Sequence, residues 1–407
     1  MEVKQTNSIE KALVEGAIIR RILEMIDHGI GRIARNIMAR RTKVEKNKVA
    51  FMTYDNDYSC NPKYIAEEII RQGLPWDLVW MVPKKGSMRA GNFPEQVRRV
   101  RRATFLGFKE AASAKIWIDN SINFFWDPIY KKKDQIHIET WHGSMGIKKA
   151  GADDVKNKKW VKRAKLCGKN TDYCISNSQF ENDVYRTTHW ENTPKLLYGH
   201  ARNDCLFSQE KIAEAREKVC EILELNPNEH FLLYAPTFRD DGRQMYSEID
   251  FKGLVSALET RFGGTWKILI KLHFHDRRRY LSEREFPDCV INVTGYTDMQ
   301  ELLMTADAGM TDYSSWAYDF VLTKRPLFIF APDVSDYNTE RGLYYPLETT
   351  PFPIAAETET LIRNVETFDD VQYQSKIVTF LEEKGCVEDG HACERIVEKI
   401  KELMEMG

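Results

Sequence analysis

From residue 48 to residue 330, short apolar runs alternate with amphipathic stretches, and this rhythm constrains the chain more than any other feature. KVAFMT (48–53), DLVWMV (77–82), KIWI (115–118), QIHIE (135–139), DYCIS (172–176) and LLY (196–198) each read as a strand. Helical patterns lie between them at 62–72, 94–102, 155–167 and 178–187. A second series of strands at 230–234, 266–272, 289–293, 307–311 and 326–330 repeats the pattern. Apolar strands separated by helices predict parallel sheets covered on both faces. At 407 residues the chain exceeds one core and suits two such units.

The expected organisation is an N-terminal amphipathic helical segment over 1–45, a Rossmann-like domain over 46–205 and a second over 206–375. Helices over 376–407 follow, the last of them free to pack back on the first domain. The break falls after LLYGHARNDCLF. Two doubly wound domains facing a cleft present their ligand-binding loops at the C-terminal ends of the strands.

Those strand ends carry unusual chemistry. His142 follows the fourth strand, in HIETWHGSMGIKK, and Arg202 follows the sixth, in GHARND. Thr237 and Arg239 (YAPTFRD), Lys271 and His273 (LIKLHFH) and Thr311 through Ser315 (TDYSS) end strands of the second series. Each has a plain structural explanation: a packed histidine, a surface ion pair, a helix N-cap. Together they argue for a site. A helix opened by Ser314-Ser315 would offer N–H groups and hydroxyls to a phosphate. Asp319, about one turn later, has the wrong charge for phosphate and suits a hydroxyl donor. Arg202, Arg239, Lys271 and His273 are the cationic complement of a diphosphate.

The net charge of −2 hides an asymmetry. Through Cys205 there are 37 Lys and Arg against 24 Asp and Glu; the remainder holds 22 against 37. A basic first half points to an anionic partner. Residues 8–41 carry isoleucines and leucines at helical spacing beside several arginines, which fits either a packed helix or one lying on an anionic membrane face. No apolar run spans a bilayer and the start MEVKQTNSIE lacks a signal peptide's apolar core, so a cytoplasmic location is expected. The eight cysteines form no CxxC pair, and neither HExxH nor an EF-hand loop occurs, so no metal site is expected. GxGxxG and Walker A glycines are also absent. Two Rossmann-like domains without them are typical of the GT-B arrangement of glycosyltransferases.

The ordered motifs WHGSMGIKK, GHARND, YAPTFRD, LIKLH, TDYSSWAYDF and ERGLYY resemble those of the CDP-glycerol glycerophosphotransferases of teichoic acid synthesis. The upstream YSCNPKYIAEEI is similar to a further stretch of that family, and the resemblance covers roughly residues 48–350. It implies His142 as catalytic base, with His273 steadying charge beside it. It implies substrate contacts from Gly143, Ser144, Met145, Gly146, Arg202, Thr237, Phe238, Arg239, Lys271, Ser314, Ser315, Asp319 and Arg341. The departures are SMG after His142-Gly143, GHARND in place of a GYPRND form, and Phe238 in place of Trp. They leave open which CDP-alditol is used.

The implied reaction moves glycerol phosphate from CDP-glycerol to a hydroxyl of a lipid-linked anionic polymer or disaccharide, at the inner face of the cell membrane. No nucleic acid partner and no cofactor are expected, a loosely bound divalent cation being left open. Two other classes stand beside it: a nucleotide-sugar glycosyltransferase of GT-B fold, and a noncatalytic binding protein using the basic half. The second would leave the His, Arg and Ser set idle.

Overall fold

The computed structural model describes residues 31, 33–54, 57–82, 93–126, 130–149, 158–237, 239, 245–272, 286–334 and 342–405. Phe238, His273, Arg341 and most of the 8–41 stretch lie outside these residues.

Two all-parallel sheets organise the chain. The first holds seven strands: β1 (Glu45–Met52), β2 (Asp77–Val82), β3 (Val97–Arg101), β4 (Ala114–Asp119), β5 (Ile136–Glu139), β6 (Tyr173–Ser176) and β7 (Lys195–Leu197), in the order β3-β2-β1-β4-β5-β6-β7. The second holds β8 (His230–Tyr234), β9 (Trp266–Ile270), β10 (Val290–Asn292), β11 (Ala308–Thr311), β12 (Leu327–Phe330) and β13 (Ile354–Ala355), in the order β10-β9-β8-β11-β12-β13. The central strands are buried almost throughout, β4 along its whole length, which accounts for their unbroken apolar runs.

In both sheets the strand order reverses direction between two neighbours: β1 and β4 in one, β8 and β11 in the other. Ligand crevices form at such reversals, outside the carboxyl ends of the strands. The loops there are Thr53–Tyr54 and Asn120–Ser121 in the first domain, and Ala235–Thr237 and Asp312–Ser315 in the second. Tyr54 N–H donates to Asn120 Oδ1 at 2.9 Å, tying the first pair together.

Residues 94–102 are not helical. The stretch forms edge strand β3, and the helix begins later, at Phe105–Ser113. Val97 and Val100, three apart, mimic a helical stripe, yet both are buried against the sheet while Arg98, Arg99 and Arg101 face solvent. Charged edge strands of this kind resist pairing with another chain. At the other end, helix Ala392–Glu405 crosses back to the first domain. Its start is capped by the Asp204 carboxylate, which accepts from Ala392 N at 2.9 Å and Cys393 N at 2.6 Å.

Candidate active site

Strand β5 ends at Glu139, and the chain turns sharply so that His142 meets the crevice. Trp141 takes a left-handed backbone, φ +52°, which a bulky residue holds only when its surroundings enforce it. Here they do. Trp141 N donates to Glu139 Oε1 at 2.9 Å, and Asn61 Nδ2 donates to the carbonyls of Thr140 and Trp141 at 3.1 and 3.2 Å. Gly143 must be glycine, because a Cβ there would lie 2.8 Å from the Trp141 indole nitrogen.

His142 Nδ1 sits 2.6 Å from the Asn120 carbonyl oxygen. A carbonyl can only accept, so Nδ1 carries the proton and Nε2 carries the lone pair. The ring is sandwiched by Tyr54 and Trp141, each 4.4 Å away between centroids. Burial first, and then the charges of Arg202 and Lys148, push its pKa down to about 4 against the upward pull of the Asn120 carbonyl. The imidazole is therefore neutral at physiological pH, as a general base must be.

Loops of the second domain close on this turn. A Cβ on Gly146 would come 3.2 Å from Ser315 Cβ, so the missing side chain is what lets the two turns meet. Lys148 pairs antiparallel with Leu343; Tyr344 N donates to the Ile147 carbonyl at 2.8 Å and Lys149 N to the Gly342 carbonyl at 3.2 Å. Tyr345 hydroxyl donates to the Met145 carbonyl at 2.5 Å. The WHGSMGIKK, TDYSS and RGLYY motifs thus share one seam.

Several expected substrate contacts are paired with other protein groups in this structure. Arg202 forks onto Asp319, Nε to Oδ2 at 2.8 Å and a terminal nitrogen to Oδ1 at 3.1 Å, with both residues 3% exposed. The same guanidinium also donates to the Gly143 carbonyl. Asp319 further accepts from Asn203 and Gln300. Arg239 is likewise committed, to Asp333 at 2.7 and 3.0 Å and to Asp312 at 2.8 Å. Met145 is fully buried in the core and offers only its backbone. Ser144 Oγ accepts from Asn177 at 2.8 Å.

Other expected site residues are engaged less fully. Ser314 and Ser315 are half-buried beside Gly146. The helix after them starts only at Ala317, spans four residues, and has no side-chain cap, so the hydroxyls are not spent as caps. Thr237 N is held by the Asp312 carboxylate at 2.9 Å, while its buried Oγ1 finds no partner among the described residues. Lys271, half-buried, donates to the Tyr296 carbonyl.

This arrangement has known counterparts. A family model described as CDP-glycerol:poly(glycerophosphate) glycerophosphotransferase matches residues 34–402. The chain belongs to that family. It is 25% identical over 402 residues to the teichoic acid poly(glycerol phosphate) polymerase of Bacillus spizizenii, covering 94% of this chain and 97% of that protein. It is 28% identical over 377 residues to the teichoic acid glycerol-phosphate transferase of Staphylococcus aureus, covering 87% and 93%. Against the polymerase of Staphylococcus epidermidis, identity is 28% over 385 residues, covering 89% of this chain and 52% of that protein, so the chain spans about half of this relative. Among solved structures, the wall teichoic acid polymerase TagF superposes with a TM-score of 0.78 at 26% identity, over 95% of this chain and 98% of that one. TagF has also been solved as a histidine-to-asparagine variant soaked with CDPG.

Within the family fold, sequence reading gave no role to residues that frame His142. Asn61 clamps the turn and also accepts from Arg202 N at 3.1 Å; its signal was the YSCNPKYIAEEI stretch, whose Asn-Pro pair opens helix Cys60–Arg71. Glu388, far along the chain, accepts from Asn177, His200 N and Asn203 at 3.0, 3.2 and 2.8 Å. Nothing in its local sequence, GCVEDGHA, marks it.

Proposed function

We propose that this chain transfers glycerol phosphate from CDP-glycerol to a hydroxyl of a growing, lipid-linked teichoic acid or related surface polymer, releasing CMP. The observation that carries the reading is the neutral His142, its Nδ1–H fixed by the Asn120 carbonyl, at the seam of the two domains. In the step proposed, the acceptor hydroxyl oxygen bonds to the β-phosphorus and its proton passes to His142 Nε2. The bond from that phosphorus to the bridging oxygen breaks, and CMP leaves with the electron pair. Base catalysis of this kind contributes about 10²–10⁴-fold.

In this reading Ser314, Ser315 and Thr237 donate to the diphosphate, and Lys148 and Lys271 balance its charge. Arg202, Asp319 and Arg239 act as positioning residues that hold the loops. Gly143 and Gly146 admit the substrates to the imidazole. His273, Phe238 and Arg341 keep their expected donor-site roles.

A surface on the first domain fits the membrane side of the reaction. Ile33, Ile37, Phe105 and Leu106 are exposed, Phe105 by 73%. Arg35 lies over the Phe108 ring at 4.5 Å, so the 33–41 helix and helix Phe105–Ser113 adjoin. Arg40, Arg41, Arg101 and Arg102 lie within a few residues of these apolar tips along the chain, a composition suited to an anionic lipid face. Among the described residues no helix is long and apolar enough to cross a membrane.

The deciding experiment incubates purified protein with a lipid-linked acceptor analogue and either CDP-glycerol or UDP-sugars. CMP release with growth of the acceptor supports glycerophosphate transfer. UDP release would instead mark a sugar transferase on the same fold.

A further inference from the structure

Behind the His142 turn lies a second constellation that the transfer reaction does not use. Asp119 ends β4, and His137 and Glu139 lie on β5; one ligating atom from each falls within 4.8 Å of the others, and all three are buried. His137 is completely enclosed, walled edge-on by Trp117, Phe124 and Phe125.

The hydrogen bonds fix what each group offers. Thr171 donates its one hydroxyl proton to the Cys167 carbonyl at 2.9 Å. Toward His137 Nδ1, 3.1 Å away, it can then only accept. Nδ1 therefore carries the ring proton and Nε2 a lone pair, buried and without a partner among the described residues. Nε2 lies 3.9 Å from Asp119 Oδ2. Asp119 accepts from Ser121 N, Asn123 and Phe124 N, and Glu139 accepts from Trp141 N and, at 3.9 Å, from the Cys167 thiol; when ionised, both carboxylates present only acceptors. Three acceptors that face one another in a dry pocket repel unless something positive lies between them.

We propose that Asp119, His137 and Glu139 bind one divalent cation, filled during folding, that locks together the strand ends presenting His142. One imidazole nitrogen with two carboxylates is a zinc or manganese donor set, whereas magnesium keeps waters that this pocket excludes. At bond lengths of about 2.0–2.2 Å, ligand atoms stand about 3–4 Å apart, so only a small inward shift is required. The link to the active site is direct. Glu139 holds Trp141 N, one residue before His142, and Asp119 precedes Asn120, whose carbonyl holds the imidazole.

The test uses the full chain, produced without a polyhistidine tag in zinc- and manganese-supplemented medium, and measured by elemental analysis. One equivalent of zinc or manganese per chain is expected, and none in Glu139→Gln or His137→Phe. Glu139→Gln supplies an amide donor to Nε2 and should fold without metal, so it serves even if the other variant does not fold. Stripping wild type with a chelator should lower Tm, zinc or manganese alone should restore it, and Glu139→Gln should respond to neither. Absence of metal from wild type, with Tm indifferent to chelator and an infrared carboxylic-acid band that vanishes in Glu139→Gln, would overturn the proposal in favour of a shared proton. Equal metal in wild type and Glu139→Gln would overturn it too, since the ion would then lie elsewhere.

Discussion

Replacing Asp319 by Ala separates two roles for that carboxylate. Sequence reading makes it a contact for a ligand hydroxyl; the structure pairs it with Arg202 in a site where both residues are 3% exposed. Loss of a ligand contact would raise KM and leave stability alone. Loss of the buried partner strands a guanidinium away from water, which costs about 3–5 kcal/mol, against about 0–1 kcal/mol for an exposed pair. In a domain of this size that corresponds to a fall in Tm on the order of 10 °C. Arg202 would keep its bond to the Gly143 carbonyl but lose the carboxylate that aims it, so turnover should fall as well.

The assay is thermal unfolding by tryptophan fluorescence beside steady-state CMP release. The double change Arg202→Met with Asp319→Leu completes the cycle. Removing both charges leaves neither unpaired, so the double variant should be more stable than Asp319→Ala even though two residues are altered. A Tm within about 2 °C of wild type for Asp319→Ala, together with a raised KM for CDP-glycerol, would refute the pairing argument and restore the ligand role.

Three further outcomes are expected. His142→Asn should lower kcat by about 10²–10⁴-fold while CDP-glycerol affinity, by calorimetry, changes little. Because its folded pKa of about 4 lies below the ordinary 6.5, the unfolded chain protonates first as pH falls. The stability owed to neutral His142 is then complete above about pH 6.5 and lost toward pH 4, and the slope of Tm over that range should be shallower in His142→Asn. Burial raises the Glu388 carboxyl from 4.5 to about 7, so the folded state loses stability as pH rises through that window. Glu388→Gln should match wild type in Tm near the low end, exceed it increasingly as pH rises through the window, and hold a constant lead above about pH 7. Changing Arg40, Arg41, Arg101 and Arg102 to Glu should release the protein from anionic vesicles in co-sedimentation, at about 1 kcal/mol per charge, while activity on a short soluble acceptor persists.

The rhythm of strands was legible because the central strands are buried on both faces and so are apolar without a break. The WHG, GHARND, YAPT and TDYSS motifs were legible because polar groups at strand ends have few reasons to be there. Edge strand β3 was misread because Val97 and Val100, three apart, look helical, although in the strand they turn to opposite faces and enter different cores. Short β13, two residues long, carries too little sequence to be read at all. The partners of charged groups were not legible in principle. Arg202 and Asp319 lie 117 residues apart, and a sequence shows charges without showing which have already found one another.

That blindness has a physical consequence for the site. A cleft built to receive a dianionic donor invites free arginines, but free buried arginines would destabilise the apo protein by several kcal/mol each. Here the buried arginines are neutralised internally, by Asp319 in one case and by Asp312 and Asp333 in the other. They are spent on holding the Gly143 carbonyl and the Thr237 loop in place. In the proposed reading the donor's charge falls to the half-buried Ser314 and Ser315 hydroxyls and to half-exposed lysines, which tolerate water between turnovers. Such groups gain most when ligand displaces water, and they need not move to do so, because the loops bearing them are already fixed by the buried pairs. Buried ion pairs beneath and hydroxyl and lysine donors above would therefore divide the work of positioning from the work of binding.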